Sequence, residues 1–181
     1  MEMQLDFYIV LFVILFEKNK SFNKQMLVEV KIGALIMDPN SNTPIVVLKS
    51  IKTDTILPIW VGAFEANAIA LEIEKITPQR PMTHDLLRNL IIESGLIVNR
   101  IIINELKDNT FYALIELFNN LENPINLDAR PSDAIALALR LDCPIFVDQK
   151  VIDISSSTTP STANDFEEPE LSNEEWPDLI S

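Results

Sequence analysis

The chain has 181 residues, 48% of them hydrophobic, so it can bury a core as one domain. Its formal charge is −13, so it lacks the basic surface that tight, nonspecific duplex binding requires. With only three glycines and one cysteine, the composition excludes a glycine-rich loop that would hold a nucleotide cofactor, an internal disulfide and a thiolate zinc cluster. This cysteine usage is typical of a protein from the reducing cytosol.

The first 25 residues contain an apolar run of ten, residues 7–16. A run of ten is too short for a transmembrane helix, which needs about 20 residues, and its flanking charges do not fit a signal peptide. We therefore expect no membrane association. Residues 1–25 are interpreted as an apolar leader created by a start codon assigned upstream of Met26, or as an extra strand or hydrophobic appendage.

Residues 26–154 are predicted to form one compact α+β domain with mixed and antiparallel strands and three main helices. Residues 27–35 show a strand pattern, in which Gly33 marks a bulge or a close backbone approach, and the runs 44–51 and 55–61 are predicted to form a hairpin. The helical patterns are 63–75, 83–94 and 131–141. The remaining extended patterns are a hairpin over 96–118 and the segments 125–129 and 145–154.

The chain ends in residues 155–181, which hold seven acidic residues and no basic one. Such a segment cannot bury enough apolar surface to order itself, so we predict a disordered acidic tail. The preceding 154 residues then carry a charge of only −6.

Two Arg-Pro dipeptides open predicted helices, in Arg80-Pro81-Met82-Thr83-His84-Asp85 and in Arg130-Pro131-Ser132-Asp133. Proline favours an extended residue before it and suits the first helical turn, so each arginine should lie where a loop becomes a helix. The Thr83 and Ser132 hydroxyls are predicted to cap these helices, and the aspartates suit the positive ends of the helix dipoles. We expect the two corners to share one pocket.

His84 is the chain's single histidine. It is either a structural residue or, beside Asp85, a proton carrier or metal ligand. With one histidine, a metal site would depend on oxygen ligands, which suit magnesium or manganese. Asp85 and Arg88 are three residues apart and could instead form a surface ion pair.

Asp128, Arg130 and Asp133 lie within six residues across a strand-to-helix junction, so their side chains are expected to converge. They form either a structural ion pair beside a capped helix, or a site in which carboxylates hold a cation while the arginine binds phosphate. Glu65, in the first turn of its helix, would complete the carboxylate set. Cys143 is predicted to be a packed structural thiol.

Ordered blocks of this sequence together resemble the bifunctional nuclease family, formerly a domain of unknown function. The blocks are 57–62, 65–66, 80–86, 110–113, 128–138 and 144–147. The resemblance implies a compact α+β domain that self-associates and cleaves both RNA and DNA.

On this resemblance we expect a cytosolic homo-oligomer that cleaves phosphodiester bonds with low specificity, in single-stranded or flexible RNA and DNA. The expected catalytic residues are His84, Asp85, Arg130 and Asp133. The expected substrate-binding residues are Arg80, Thr83 and Ser132. The expected ligands of a magnesium or manganese ion are Glu65, Asp85, Asp128 and Asp133. The alternative is a noncatalytic oligomeric domain for binding or regulation, whose polar residues are structural.

Overall fold

The computed structural model describes residues 26–119 and 124–158, which form one seven-stranded mixed sheet and four helices. The strands are β1 (Leu27–Met37), β2 (Pro44–Ser50), β3 (Ile56–Trp60), β4 (Ile97–Lys107), β5 (Thr110–Phe118), β6 (Pro124–Ala129) and β7 (Ile145–Asp148). The helices are α1 (Ala63–Ile73), α2 (Thr83–Glu93), α3 (Pro131–Leu141) and α4 (Gln149–Thr158). The predicted α+β class is confirmed.

The sheet has the strand order β3-β2-β1-β7-β4-β5-β6. Neighbouring strands are antiparallel except β4 and β7, which are parallel and therefore require a long connection, here β5, β6 and α3. Strand β7 thus lies in the centre of the sheet, where it joins the β1–β3 meander to the β4–β6 meander. This insertion makes the two halves share one core.

Local turn and bulge chemistry follows the sequence closely. The register of β1 against β2 shifts between Ile32 and Ala34, which confirms the predicted bulge at Gly33. The turn between β4 and β5 places Asp108 and Asn109 at φ 48° and 58°, a conformation that suits a two-residue hairpin. Gly95, at φ 69°, ends α2 in the predicted left-handed conformation.

The core lies between the sheet and the helices, with α3 as its centre. Every residue of α3 from Ala134 to Ala138 is buried, and the helix packs against α1, α2, β4 and β5. Leu48 of β2, Ile101 of β4 and Leu137 of α3 are fully enclosed in this core. Truncating one of them, as in Leu137→Ala, should cost about 2–5 kcal/mol of stability. The starts of the helices are therefore held by a rigid scaffold.

The prediction of an extended segment over 145–154 is wrong after Asp148. The Asp148 carboxylate accepts a hydrogen bond from the Lys150 amide at 3.0 Å and starts α4, a fourth helix beyond the three predicted. Val151, Ile152 and Ser155 are buried on one side of α4. The adjacent apolar residues Val151 and Ile152 are typical of a buried strand, but Ser155 follows them by four and three residues, the spacing of one side of a helix. The helix also passes residue 155, where the tail was predicted to begin.

The leader of residues 1–25 and the tail beyond residue 158 lie outside the described residues. None of the helices in the described part of the chain is long and apolar enough to cross a membrane.

Candidate active site at three helix starts

The first turns of α1, α2 and α3 meet, and each contributes one side chain to a hydrogen-bonded group. Glu65 belongs to α1, His84 to α2 and Asp133 to α3, and Arg130 precedes α3 as its N-cap residue. We refer to these four residues as the polar cluster. The two Arg-Pro corners therefore do come together, as the sequence predicts, through the side chains of His84 and Asp133.

Asp133 is the centre of the polar cluster. Its Oδ2 accepts a hydrogen bond from Arg130 Nε at 2.8 Å, and its Oδ1 accepts one from Arg130 Nη2 at 3.1 Å. The same Oδ1 lies 3.2 Å from His84 Nε2. Arg130 Nη1 also donates to Glu65 Oε1 at 2.8 Å. One carboxylate therefore orients both the imidazole and the guanidinium, the latter through a two-pronged contact.

Exposure differs sharply within the polar cluster. The Arg130 side chain is 65% exposed, whereas Asp133 is 31% and His84 only 14% exposed. Burial opposes ionisation of Asp133, but hydrogen bonds from Arg130 and His84 outweigh it and lower the pKa of this carboxyl. Hydrogen bonding to Asp133 and Glu65 raises the pKa of Arg130. The cluster thus presents a permanent cation outward, with an ionised carboxylate behind it.

Gly62 allows Glu65 to take its place. Gly62 is the N-cap residue of α1, with extended backbone angles, and a Cβ atom added there would collide with the Glu65 carboxylate. The absent side chain therefore lets Glu65 fold back over the helix start and reach Arg130.

The predicted helix caps are wrong. The N-cap residues are Met82 and Arg130, and neither Thr83 nor Ser132 bonds the free amides, because both already lie inside the first turn. At the start of α2 the Asp85 carboxylate instead accepts the Met82 N–H at 2.8 Å.

The three predicted substrate-binding residues have different surroundings. Arg80, in the loop before α2, and Thr83, in its first turn, are exposed. Ser132 is buried in the first turn of α3, with only 7% of its surface accessible. Arg80 and Thr83 are therefore accessible to a ligand, whereas Ser132 is largely covered.

Asp85 lies in a second, separate ion pair. Arg140, whose side chain is only 3% exposed, donates from Nε to Asp85 Oδ1 at 2.6 Å. Its Nη1 donates to the backbone oxygens of Ala68 at 3.1 Å and Ala136 at 2.9 Å. These bonds tie α1, α2 and α3 together. Burial raises the pKa of Asp85, but the bonds from Arg140 and the Met82 amide outweigh it, so the net shift is downward.

Arg88 does not form the ion pair with Asp85 that the spacing allowed. Its Nε instead donates to the Arg140 backbone oxygen at 3.0 Å. Arg140 was not among the predicted site residues, although it was visible in the sequence as a charge that follows the six apolar residues 134–139 of this helix.

Asp128 is not drawn into the polar cluster. On β6 it is opposite Leu114, while its neighbour Ala129 is opposite the buried Ala113. Because successive side chains of a strand point to opposite faces, Asp128 points away from the face that Ala113 and the core occupy. The expected convergence with Arg130 and Asp133 fails for this reason.

The residues expected to bind magnesium or manganese do not fit one cation site as they are arranged. Glu65 and Asp133 share the Arg130 guanidinium, Asp85 bonds Arg140, and Asp128 lies on another face. Across residues 26–119 and 124–158, no three histidine, cysteine or acidic side chains converge as metal ligands. A hard cation would need several oxygen ligands at one point.

Comparison with known proteins identifies the family. The model of the bifunctional nuclease domain matches residues 46–160, more than half of the chain. The chain belongs to the bifunctional nuclease domain family. The resemblance seen in the sequence is thereby confirmed, and the matched span contains the whole polar cluster and the Asp85–Arg140 pair of this bifunctional nuclease domain.

Two kinds of relative are similar to this bifunctional nuclease domain. An uncharacterized protein of Mycobacterium tuberculosis strain H37Rv is 40% identical over 124 residues, which cover 68% of this chain and 73% of the relative. Bifunctional nuclease 1 of Oryza sativa subsp. indica is 29% identical over 101 residues, which cover 55% of this chain and 30% of the plant protein.

The single cysteine of this bifunctional nuclease domain lies apart from the polar cluster. Cys143 is half-buried and packs against the core, and burial raises its thiol pKa to about 11. It is therefore a thiol with little nucleophilic thiolate at neutral pH, as predicted from its sequence surroundings.

Proposed function

We propose that this bifunctional nuclease domain is a low-specificity nuclease that hydrolyses phosphodiester bonds in RNA and DNA. The observation that carries the proposal is the polar cluster, in which an exposed arginine and a carboxylate-oriented imidazole share Asp133. Membership of the family supports the reaction class. Arg130, His84 and Asp133 are the residues that we assign to the reaction.

Arg130 is proposed to bind the scissile phosphate. Its guanidinium is the most exposed group of the cluster, and it stands where the positive ends of three helices meet. A phosphate oxygen would replace part of its contact with Glu65 and gain a charge-assisted hydrogen bond. The exposed Arg80 and Thr83 would extend this contact along the strand. Ser132, which is largely covered, would assist phosphate binding from the same helix turn as Asp133.

His84 is proposed to move the proton. As a water oxygen attacks phosphorus, His84 accepts a proton from that water, the bond from phosphorus to the leaving sugar oxygen breaks, and that oxygen takes a proton from solvent. Asp133 keeps the imidazole oriented and stabilises its charged form. A positioned general base of this kind contributes about 10²–10⁴-fold to a rate.

The preferred substrate is proposed to be single-stranded or flexible nucleic acid in the cytosol. A charge of −13 opposes the approach of a rigid duplex, whereas a flexible strand can bring one phosphate to Arg130. Magnesium or manganese assistance stays a prediction, and because the carboxylates do not form one ligand set we assign no step to a metal ion.

The test is cleavage of end-labelled single-stranded RNA and DNA by highly purified protein. Three preparations are compared: wild type, Asp133→Asn, and Asp54→Asn as a matched exposed-aspartate control. We expect a loss of about 100-fold or more for Asp133→Asn, because the imidazole and guanidinium lose their common anchor, and near wild-type rates for Asp54→Asn. Each is assayed with chelator and with added manganese, after circular dichroism confirms folding. Equal residual activity in all three would indicate a contaminant and overturn the proposal.

A specific observation favours the alternative of a noncatalytic oligomeric domain. Arg130 already bonds two carboxylates, so the polar cluster is satisfied without a ligand. The N-cap residue Met82 is followed at intervals of four by Leu86 and Leu90 of α2, and the three are 41%, 65% and 60% exposed. In this alternative, that apolar stripe is the contact between copies of the chain.

Light scattering of wild type and Leu86→Glu tests this alternative. It predicts an oligomer that the charged substitution dissociates, together with the absence of protein-dependent cleavage in the wild type. A monomer at all concentrations would contradict it.

A further inference from the structure

An open cleft lies between the end of α1, the loop of residues 76–81 and one side of α2, at the end of α3 that carries Arg140. Its volume is about 370 Å³. Ile76, Pro78 and Pro81 give it apolar walls, while Asn89 and Arg88 contribute polar groups from α2. The apolar side chains can pack against the face of a small ring, while the polar side chains can bond its edge.

Among the described residues, Arg88 is the charged group of the cleft that has no carboxylate partner. Asp85 and Arg140 are bonded to each other, and Glu72 is bonded to Lys75 at 2.9 Å. Arg88 instead donates to the Arg140 backbone oxygen and to Asn89. The cleft therefore offers a ligand mainly hydrogen-bond donors, which suit a planar ring with acceptors on its edge.

The polar groups at the rim are held in place. Arg88 Nη1 donates to the Asn89 side-chain oxygen at 3.2 Å, while Arg88 Nε is fixed on the Arg140 backbone oxygen. With its oxygen engaged, the Asn89 amide retains N–H donors for the edge of a ring. Nucleobases are neutral, planar and rich in edge acceptors, and they stack well on flat side chains.

The cleft lies about two helical turns from the polar cluster. Two of its lining residues, Glu72 and Arg140, each follow a cluster residue of the same helix, Glu65 and Asp133, by seven residues, or about 10 Å of helix. A strand with one phosphate at Arg130 can therefore reach the cleft with the base of a neighbouring nucleotide.

We propose that the cleft is a nucleobase subsite, which binds the base of a nucleotide neighbouring the one whose phosphate contacts Arg130. The inference rests on the proposed function and deepens it. The apolar side chains of the cleft can pack against any base, and only a few contacts to a base edge are available. The subsite therefore fixes the position of a strand relative to Arg130 without selecting a sequence. Because a base inside a duplex is stacked and paired, the subsite also favours single strands.

Free nucleosides test the subsite, because they carry a base but no phosphate. Uridine or adenosine is titrated into the isotope-labelled full chain, and the NMR signals of the Asn89 side-chain amide and the Arg88 Nε–H are followed. We expect saturable shifts of both. Asn89→Ala should weaken nucleoside binding about three- to tenfold, the effect of one hydrogen bond, and Thr77→Trp, which fills the cleft from its exposed loop, should abolish the shifts. Asn126→Ala, an exposed asparagine on β6, is the matched control and should bind as wild type.

The outcomes separate the two proposals. The absence of shifts at Asn89 and Arg88, equal shifts with ribose alone, or equal weakening by Asn126→Ala would overturn the subsite. Cleavage without nucleoside binding in the cleft would overturn the subsite alone. Nucleoside binding in a protein that cleaves nothing would support the subsite and overturn the proposed nuclease reaction.

Discussion

Arg140 and Arg130 are both paired with aspartates, yet the structure predicts opposite consequences of replacing them. Arg140→Met removes a buried guanidinium that bonds Asp85, Ala68 and Ala136, and Arg130→Met removes one that is 65% exposed. We expect the first substitution to destabilise the fold and the second to leave it folded. Comparing the two variants therefore distinguishes an arginine of a structural ion pair, near the end of α3, from a site arginine at the start of that helix.

The magnitude for Arg140→Met follows from its surroundings. Removing one partner of a buried ion pair costs about 3–5 kcal/mol, because the other charge stays buried without a partner. The Asp85 side chain is 24% exposed and keeps its bond from the Met82 amide, so water recovers part of this loss. The expected decrease in unfolding free energy is about 2–4 kcal/mol. For Arg130→Met it is about 1 kcal/mol or less, as for an exposed pair.

Urea denaturation followed by circular dichroism measures both values. With a urea dependence of about 2 kcal/mol/M, Arg140→Met should lower the midpoint by about 1–2 M, whereas Arg130→Met should stay close to wild type and lose cleavage. Adding Asp85→Asn to Arg140→Met should recover part of the stability, because the uncompensated charge is gone. An Arg140→Met protein within 1 kcal/mol of wild type would refute the assignment of this pair as the structural link of the helices.

Three further predictions concern pH, the first turn of α1 and the single thiol. The pKa of Asp85 lies below its ordinary value of 3.8, so its ion pair stabilises the native state above that pH, and the contribution is lost as pH falls through the lowered native pKa. Below about pH 4, unfolding titrations should therefore show a steeper loss of stability for wild type than for Asp85→Asn, and parallel curves would contradict the pairing. Gly62→Ala should displace the Glu65 carboxylate and lower the cleavage rate as much as Glu65→Gln does, while the free energy of unfolding falls by about 1 kcal/mol or less. Full cleavage activity of Gly62→Ala would show that Glu65 does not hold Arg130. With a pKa of about 11, Cys143 of the native protein should react with iodoacetamide at pH 8 about 100-fold more slowly than a free thiol. In urea, which unfolds the protein, it should react at the rate of a free thiol. Fast labelling of the native protein would contradict the burial of Cys143.

Local signals in the sequence predicted most element positions. Pro131 marks the start of α3, which runs over the predicted span, and the Asp108–Asn109 turn and Gly33 bulge follow from residues that suit those conformations. The fourth helix was missed because Val151 and Ile152 are adjacent apolar residues, and the capping role of Asp148 becomes visible only when β7 is known to end there.

Contacts between residues far apart in the chain explain why the geometry of the site could not be predicted from the sequence. His84 and Asp133 are 49 residues apart, and Arg130 and Glu65 are 65 apart, so their contacts depend on how α1, α2 and α3 pack on the sheet. The sequence supplied the helix starts and the residue types. It could not show that Asp85 would bond Arg140 rather than join His84, or that strand alternation would turn Asp128 to another face.

The most direct test of the nuclease proposal is a single-turnover cleavage measurement with His84→Gln, a substitution that keeps a hydrogen-bonding side chain beside Asp133 but cannot carry the proton. We predict that affinity for a single-stranded oligonucleotide, measured by fluorescence anisotropy, stays within about twofold of wild type, while the cleavage rate constant falls about 10²–10⁴-fold. A cleavage rate constant equal to that of wild type, in protein that folds and binds normally, would contradict the assignment of His84 and Asp133 to the reaction.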